Sequence, residues 1–328
     1  MLQPNIKISI IVCTRNRAYA IERCLDSIAT ALSVARIDAE LLVVDNGSTD
    51  ETAARVKAWG DGQSFPVRLL TEPRGGVCAA KNRGLREAQG TLVMFTDDDC
   101  HLSRTYFQDL LKHFQADKEP VLRSGRVELG DPSDLPLSIK TADTAQTWKK
   151  SEANARRINL GDSLMGGNLV MPLELARKLG PFDERFGPGT SIPGAEDTDY
   201  ILRAYRAGLT LSYVPDMAVF HYHGRKRPCE GRQILQHYAL GGGAIYTKYL
   251  FTSPDLCRQF YWDLKNAIKE LLTGENTFMP GFGFSHKDKV FYTLLGAVKF
   301  FRSSVSQVFK DSVFANFSLQ ARDRAQIQ

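Results

Sequence analysis

Three adjacent carboxylates, Asp97-Asp98-Asp99, directly follow a short apolar run and form the most chemically suggestive feature of the sequence. Adjacent carboxylates repel one another, which costs free energy unless a cation lies between them. Mg²⁺ and Mn²⁺ prefer hard oxygen ligands and commonly bridge one or two carboxylates to the phosphates of a substrate. The triplet therefore predicts a divalent metal site, although a solvated acidic turn before a helix would contain the same residues.

A second acidic pair, Glu196-Asp197, follows a loop that contains Gly and Pro and begins a predicted helix over 195–207. A carboxylate in this position suits a general base directed into a cleft. Helix capping explains the pair equally well, because acidic residues favour the first turn of a helix. His221 and His223 follow a strand-like run and point to the same side. One of them could bind a metal or a diphosphate, with a structural role as the alternative.

Two further motifs could bind a nucleotide. Asp45 ends an apolar run, where a carboxylate can hydrogen-bond a base or a ribose, although a plain turn through Gly47 also accounts for the motif. Ser48 and Glu51 predict a capping box at the start of the next helix. Arg74-Gly75-Gly76 precedes a predicted helix over 77–88, and glycines there let an anion approach backbone N–H groups. A flexible loop before a basic surface helix is the alternative.

The elements that must position these residues alternate between strands and helices. Apolar runs predict strands at 6–13, 40–44, 67–70, 91–95, 121–129 and 164–171. Alternation of this kind is typical of an α/β fold whose largely parallel sheet carries helices on both faces. Ligands of such sheets bind at the carboxyl ends of the strands. We therefore expect the polar clusters after the strands to gather at one edge.

Composition and charge exclude several classes of protein. The chain has 328 residues with 43% hydrophobic and 24% charged residues, which is typical of a globular protein. A net charge of +5 is too weak to indicate nucleic-acid binding. The six cysteines include no C-x-x-C pair, which indicates free thiols in a reducing compartment. No signal peptide is recognisable. The longest apolar segment near the end, 290–298, is about half of the roughly 18 residues that span a bilayer. We expect a cytoplasmic protein, at most resting on the inner face of a membrane.

The order of the motifs resembles the family-2 glycosyltransferases of GT-A fold over residues 6–225. The motifs that carry the resemblance are Thr14-Arg15-Asn16-Arg17, Asp45-Asn46-Gly47-Ser48-Thr49-Asp50, Arg74-Gly75-Gly76 with Asn82-Arg83-Gly84, Asp97-Asp98-Asp99, Gly166-Gly167-Asn168, Glu196-Asp197 and His221. The resemblance implies a Rossmann-like, mostly parallel sheet flanked by helices, with a catalytic domain over 1–228. After about residue 230 the sequence matches no motif of this family, and its mostly helical pattern predicts a helical C-terminal extension over 229–328.

The resemblance also implies a role for each matched residue. Asp197 is implied as the catalytic base, with Glu196 beside it binding the acceptor. The implied donor-binding residues are Thr14, Arg15, Asp45, Arg74, Asn82, Asp97 and Asp98. The implied ligands of Mn²⁺ or Mg²⁺ are Asp99, Asp97 and His221, with His223 as the fallback. Gly167 and Asn168 are implied on the acceptor side.

The implied activity is a single displacement with inversion at the anomeric carbon, as in polysaccharide or glycoconjugate biosynthesis. A uridine diphosphate sugar is the default donor, and the acceptor is a saccharide or a lipid-linked molecule. The Q-x-x-R-W signature of processive synthases is absent from the sequence, which favours a non-processive enzyme.

Two other functions and three uses of the C-terminal extension stay open. A nucleotidyltransferase would use a similar sheet and metal, but it predicts a Gly-rich loop after the first strand, and residues 13–17 contain no glycine. A catalytically inactive sugar-nucleotide-binding scaffold is the second alternative. The extension, with Arg225-Lys226-Arg227 before it, could form a lid, a homo-oligomer surface or a peripheral contact with an anionic membrane.

Overall fold

The structure, a computed structural model, describes residues 6–150 and 164–325, with side chains as far as residue 306. The strands are β1 Lys7–Thr14, β2 Asp38–Asp45, β3 Val67–Thr71, β4 Leu92–Asp97, β5 Cys100–Leu102, β6 Val121–Leu129, β7 Gln146–Trp148, β8 Asn168–Pro172 and β9 Thr210–His221. The α-helices are α1 Ile21–Ala35, α2 Thr52–Asp61, α3 Val77–Glu87, α4 Tyr106–Ala116, α5 Leu173–Leu179, α6 Glu196–Arg206, α7 Pro228–Tyr249, α8 Arg258–Thr273 and α9 His286–Ala325.

The strands form one mixed sheet in the order β3-β2-β1-β4-β8-β6-β9-β5, with β7 beside β9. Strands β3, β2, β1 and β4 run parallel, and β6 runs parallel to β9. Strand β8 lies antiparallel between β4 and β6. The predicted α/β architecture is confirmed, and the parallel strands deliver their carboxyl ends to one edge of the sheet.

Side-chain alternation along β1 places helices on both faces of the sheet. Ile10 packs in the buried cluster that contains α1 residues such as Leu25. Ile11 points the other way and lies against Gly84 of α3, where an added Cβ would come within 2.6 Å of Ile11 Cγ2. Glycine at this point lets α3 pack closely on the sheet, and this fixes the position of the loop that precedes α3.

Two details of the predicted elements are wrong. The capping box of Ser48 and Glu51 does not form, because α2 begins at Thr52 and Asp50 accepts the Thr52 N–H at 3.0 Å. Ser48 Oγ instead accepts the N–H of Asn16, which ties this turn to the end of β1. The strand predicted over 164–171 begins only at Asn168, after two glycines. The irregular composition of residues 130–163 predicts an inserted loop, and its part at 151–163 lies outside the described residues.

The chain divides into two compact units. The first is Met1–Thr190 with Ala195–Gly231, and it contains the sheet. The second, Ser191–Gly194 with Arg232–Gln328, is helical. In the second unit α7 and α9 cross in close contact, since a Cβ on Gly243 would lie 1.8 Å from the carbonyl oxygen of Thr293. Within the described residues, no helix has the length and apolar content that crossing a bilayer requires.

Candidate active site

The register of the parallel strands brings polar side chains to one edge of the sheet. Thr14 pairs with Asp45, and Cys13 pairs with Asp97. Thr14 and Asp45 are both buried, and Asp45 Oδ1 accepts the N–H of Ser48 at 3.1 Å. The predicted gathering of strand-end residues at the carboxyl edge is therefore observed. A nucleotide at this edge would meet the ends of β1, β2 and β4.

Asp99 and His221 lie close enough together at this edge to bind one metal ion. His221 Nε2 lies 3.3 Å from Asp99 Oδ1, and the backbone carbonyl of Ser138 accepts a hydrogen bond from His221 Nδ1 at 3.2 Å. Burial acts to lower the pKa of His221, but its hydrogen bond to Asp99 and the carboxylate charge outweigh burial and raise it. Burial also acts to raise the pKa of Asp99, and here His221 and Arg17 outweigh it and lower the pKa.

The donor set of this pair, one carboxylate and one imidazole, fits a divalent ion such as Mn²⁺. Neighbouring ligands of an octahedral Mg²⁺ with bonds of about 2.1 Å lie about 3.0 Å apart, close to the observed Asp99–His221 separation. With Nδ1 donating to the Ser138 carbonyl, Nε2 would become the ligand atom once an ion replaced its contact with Asp99. Cys100 Sγ lies in the same group within 4.8 Å, but burial raises the pKa of this thiol, and a protonated thiol is a poor ligand.

The side chain of Asp97, an expected metal ligand, does not point to the same place as those of Asp99 and His221. It does not belong to the group of Asp99, Cys100 and His221, the candidate metal cluster found among the described residues. Its Oδ2 lies toward Gly167, where a Cβ would approach to 2.8 Å. Burial raises the pKa of Asp97, with the nearby Lys81 charge opposing the rise. The structure thus brings together two of the three expected metal ligands.

Arg17 contacts the acidic triplet, although the sequence predicts no role for it in the site. Its Nε lies 3.3 Å from Asp98 Oδ1, and its Nη2 lies 3.2 Å from Asp99 Oδ2. Burial raises the pKa of Asp98 to about 6, although Arg17 acts to lower it. The expected donor residue Arg15 is exposed. The position of Arg17 in the sequence indicates its placement, because it belongs to the polar cluster that follows β1.

The pair Glu196 and Asp197 forms the first turn of α6, as expected. The preceding Ala195 has φ = 66°, a left-handed conformation that costs about 1 kcal/mol or more for a residue with a Cβ. Asp197 Oδ2 accepts the N–H of Gly166 at 3.0 Å, and Oδ1 accepts that of Thr198 at 2.7 Å. These bonds hold the carboxylate in one orientation.

Gly166 and Gly167 permit the close approach of this backbone to two carboxylates. A Cβ on Gly166 would lie 2.8 Å from Asp197 Cβ, and a Cβ on Gly167 would lie 2.8 Å from Asp97 Oδ2. The two glycines therefore link the β4 end to the α6 start. Gly167, expected on the acceptor side, lies between Asp97 and the turn that holds Asp197.

Lys81 is a second residue of this region for which the sequence predicts no role. Its side chain is almost completely buried, with Nζ 4.0 Å from Glu196 Oε1. Burial acts to lower the pKa of Lys81, but Asp97 and Glu196 outweigh burial and raise it. Burial raises the pKa of Glu196 to about 7, with Lys81 opposing the rise. Helical spacing offered a signal, because Lys81 shares a face with Cys78 and Leu85, which are buried.

Two expected donor residues have other partners. Asn82 is buried, and its amide group donates to the Phe182 carbonyl at 2.9 Å and accepts the Phe182 N–H at 2.7 Å. Arg74 donates to both carboxylate oxygens of Glu72 and to Glu184. Both residues thus hold the loop around Phe182. The two N–H bonds of the Asn82 amide are directed at Phe182 and Glu184, which does not fit the expected contact of Asn82 with the nucleotide sugar.

Asn168 and His223 are also structural in this arrangement. The side chain of Asn168 is fully buried, accepts a hydrogen bond from the Tyr106 hydroxyl and donates to the Met217 carbonyl at 2.9 Å. His223 Nε2 donates to the Leu135 carbonyl at 3.1 Å, and its Nδ1 accepts the Arg225 N–H at 3.0 Å. These contacts do not fit the expected acceptor contact of Asn168 or the fallback role of His223 as a metal ligand.

Sequence comparison relates the chain to known proteins. Residues 9–166 match the family described as Glycosyl transferase family 2. Glycosyltransferase AglE of Haloferax volcanii is 25% identical over 238 residues, which cover 73% of each chain. Chondroitin synthase of Pasteurella multocida is 33% identical over 112 residues, which cover 34% of this chain and 11% of the synthase.

Solved structures share the fold. The mannosyltransferase PcManGT from Pyrobaculum calidifontis, in complex with GDP-Man and Mn²⁺, matches with a TM-score of 0.57 and 20% identity, covering 90% of this chain and 86% of that one. Residues 1–349 of S. aureus TarS in complex with UDP-GlcNAc match with a TM-score of 0.54 and 18% identity, covering 81% and 78%.

Proposed function

The chain belongs to glycosyl transferase family 2 and adopts the GT-A fold, and from this premise we propose that it is an inverting transferase that moves a sugar from a nucleoside diphosphate sugar to an acceptor hydroxyl. The observation that carries the proposal is the convergence at one sheet edge of the Asp99–His221 pair and the anchored carboxylate of Asp197. The pair suits a divalent ion on a diphosphate, and the carboxylate suits proton removal from a hydroxyl.

Asp197 is the general base of the proposed reaction. Its two backbone hydrogen bonds hold the carboxylate in one rotamer, so that it can accept the acceptor proton without reorganisation. Direct attack of the acceptor oxygen on the anomeric carbon, with departure of the nucleoside diphosphate, inverts the configuration there. Glu196 and Lys81 lie beside this position as a partly neutralised pair that can hydrogen-bond the sugar or the acceptor.

The leaving group requires positive charge. A divalent ion held by Asp99 and His221 would neutralise the charge that develops on the departing diphosphate. Lys81 adds a fixed, buried cation at the same edge, and its preorganised charge costs no rearrangement during the reaction. Interactions that strengthen as charge develops lower the barrier instead of only tightening binding.

The donor class is proposed from the neighbours and from the site. The TarS structure contains UDP-GlcNAc, and PcManGT contains GDP-Man with Mn²⁺. Both ligands are nucleoside diphosphate sugars, and we take a uridine diphosphate sugar with Mn²⁺ or Mg²⁺ as the first candidate. Asp45, buried at the end of β2, is the proposed contact to the base. The proposed acceptor is a saccharide or a lipid-linked molecule in polysaccharide or glycoconjugate biosynthesis.

A thermal-shift screen of nucleotide sugars with and without Mn²⁺ tests this proposal. One nucleotide sugar at saturating concentration should raise Tm by roughly 5 °C, because ligand at 100 times Kd stabilises the native state by about 2.7 kcal/mol. The shift should disappear with EDTA, and NMR of the transferred sugar should show inverted configuration. A shift by nucleoside triphosphates alone would favour a nucleotidyltransferase. Binding without turnover on any acceptor would favour an inactive scaffold.

Removing the Arg17 charge should strengthen metal binding. The guanidinium contacts Asp98 and Asp99, so that it competes electrostatically with a cation at Asp99. Arg17→Met should raise the affinity for Mn²⁺ in the absence of nucleotide by about 10-fold, the effect of about 1.4 kcal/mol. Titration calorimetry measures the change, and Arg15→Met in the same loop is the matched control. Unchanged or weaker Mn²⁺ binding in Arg17→Met would contradict the competition.

A further inference from the structure

Helix α8 of the second unit buries acidic residues and exposes apolar ones, which is the reverse of an ordinary surface helix. Its acidic residues Asp263 and Glu270 are buried, at 2% and 0% exposure. Leu271 and Leu272 on the same helix are 68% and 84% exposed. Surface helices normally bury an apolar stripe and expose their charges. The outward face of α8 is therefore apolar where a face exposed only to water is normally charged.

The buried carboxylates fix this orientation. Asp263 pairs with Lys289 of α9 at 2.9 Å and lies 3.3 Å from His286. Glu270 accepts the N–H of Thr277 at 2.9 Å and that of Lys287 at 3.3 Å. Rotating α8 to bury its leucines would leave Lys289 and these backbone donors without acceptors, which is costly for buried polar groups. The apolar face stays outward because the acidic face is bound inward.

The outward face of α8 combines apolar and basic residues in adjacent rows. Residues three, four and seven apart share a side of a helix. The exposed apolar side chains follow this spacing: Tyr261, Leu264, Ile268, Leu271 and Leu272. The exposed basic residues Arg258, Lys265 and Lys269 form the neighbouring row. Trp262 borders that row, with Lys265 Nζ 5.0 Å from the centroid of its ring.

Helix α9 presents a second exposed apolar stripe. Its members recur at the same helical spacing: Phe291, Leu294, Val298, Phe301 and Val305. Arg302 is exposed beside them. Exposed apolar side chains that recur along one side of a helix in this way are typical of a face that binds another molecule or a membrane.

Charge decides which occupant fits. Residues 258–306 contain seven Lys or Arg and four Asp or Glu, and three of these acids, Asp263, Glu270 and Asp288, make hydrogen bonds or ion pairs within the unit. A second copy of this face would place two basic rows in the same contact, and their repulsion makes a two-fold contact unfavourable. Anionic lipid headgroups complement the basic row, and leucine and aromatic side chains enter the boundary between headgroups and acyl chains.

We propose that the exposed face of α8 and α9 binds the surface of a bilayer that contains anionic phospholipid. Helix α8 lies in the plane of the interface with its leucines inserted and its basic row at the headgroups. Tyr261 and Trp262 have the amphipathic rings that favour this depth. The binding requires neither the nucleotide sugar nor the metal, so it stands or fails separately from the proposed transferase activity.

Vesicle flotation of the full chain tests the proposal. The chain should float with vesicles of phosphatidylcholine and phosphatidylglycerol, and much less with phosphatidylcholine alone. Lys265→Glu combined with Lys269→Glu should weaken binding to the anionic vesicles at least about 10-fold, because each basic residue near such a surface contributes roughly fivefold. Leu271→Gln combined with Leu272→Gln should weaken binding by about 10-fold or more through loss of the inserted apolar groups.

The controls separate a surface effect from misfolding. Lys57→Glu combined with Lys118→Glu makes the same charge change at exposed positions of the first unit and should leave binding unchanged. All variants should keep the wild-type Tm, because the substituted side chains are exposed. Equal binding to neutral vesicles, or equal loss in the Lys57 and Lys118 control, would overturn the proposal. A dimer in sedimentation velocity that the Leu271 and Leu272 variant abolishes would also overturn it and identify a second copy as the occupant.

Discussion

Asp197→Asn should reduce the rate of sugar transfer by about 10³-fold while leaving the Kd of the donor within about twofold. A general base contributes roughly 10²–10⁴ to the rate, and an amide cannot accept the acceptor proton. The donor is proposed to bind through the strand ends and the metal pair, which this substitution does not touch. Single-turnover transfer and donor titration by calorimetry, made on the same preparation, give the two numbers.

Asp197→Asn also changes the hydrogen bonds of this side chain, so the stability of the variant must be controlled. Both carboxylate oxygens accept backbone N–H groups, from Gly166 and from Thr198, so the amide of asparagine must turn a donor toward one of them. Losing one such bond costs about 1–3 kcal/mol of stability, and unfolding must be measured beside activity. A large loss of donor affinity at unchanged stability would contradict the assignment of Asp197 as base.

Glu196→Gln is the matched comparison. It removes the neighbouring carboxylate, which lies beside Lys81 and whose pKa burial raises to about 7. We expect it to raise the KM of the acceptor more than it lowers kcat. If Glu196→Gln instead abolished transfer while Asp197→Asn did not, the base would be Glu196, and a pKa near the working pH would explain the choice.

The strand-end part of the site followed from the sequence because a parallel sheet leaves little freedom. Apolar runs that lead into Thr14, Asp45 and Asp97 place those residues at one edge once the strands are parallel. The observed register pairs Thr14 with Asp45 and places Asp97 beside Cys13, the neighbour of Thr14. The start of α6 followed in the same way, because acidic residues mark the first turn of a helix. Local pattern was sufficient for both.

The residues whose observed contacts differ from the expected ones depend on contacts between distant segments of the chain. Asn82 bonds Phe182, one hundred positions away, and Asn168 bonds Tyr106, sixty-two positions away. A polar residue inside a motif can contact substrate or satisfy buried backbone groups, and only the tertiary register distinguishes the two. Arg17 and Lys81 were missed for the complementary reason, since a basic residue near a helix start normally indicates solvated surface.

The orientation of helix α8 also depends on contacts with other segments of the chain. Leu264, Ile268 and Leu271 have the spacing of a helix face that normally packs against a core. The structure buries Asp263 and Glu270 instead, because Lys289 and the backbone of the neighbouring turn supply partners for them. An amphipathic pattern identifies two faces, but partners elsewhere in the chain decide which face is inward.

Asp99→Asn should abolish the metal dependence of donor binding. In the presence of Mn²⁺ the Kd of the nucleotide sugar should rise by about 100-fold, a loss of about 2.7 kcal/mol. The reason is that Asp99 and His221 would hold the divalent ion, and a neutral amide oxygen is a weaker ligand than a carboxylate. Donor titrations by calorimetry with Mn²⁺ and with EDTA measure the change.

The comparison with EDTA isolates the metal contribution, because wild type and Asp99→Asn should bind the donor equally once the ion is removed. Asp98→Asn is the matched control, since Asp98 belongs to the same acidic triplet but faces Arg17 and lies outside the group formed by Asp99, Cys100 and His221. It should retain most of the tightening by Mn²⁺. If Mn²⁺ tightened donor binding equally in Asp99→Asn and in wild type, the ion would have to bind elsewhere. Asp97, directed toward Lys81 and Gly167, would then be the residue to substitute next, and its own loss of metal dependence would restore the originally expected ligand.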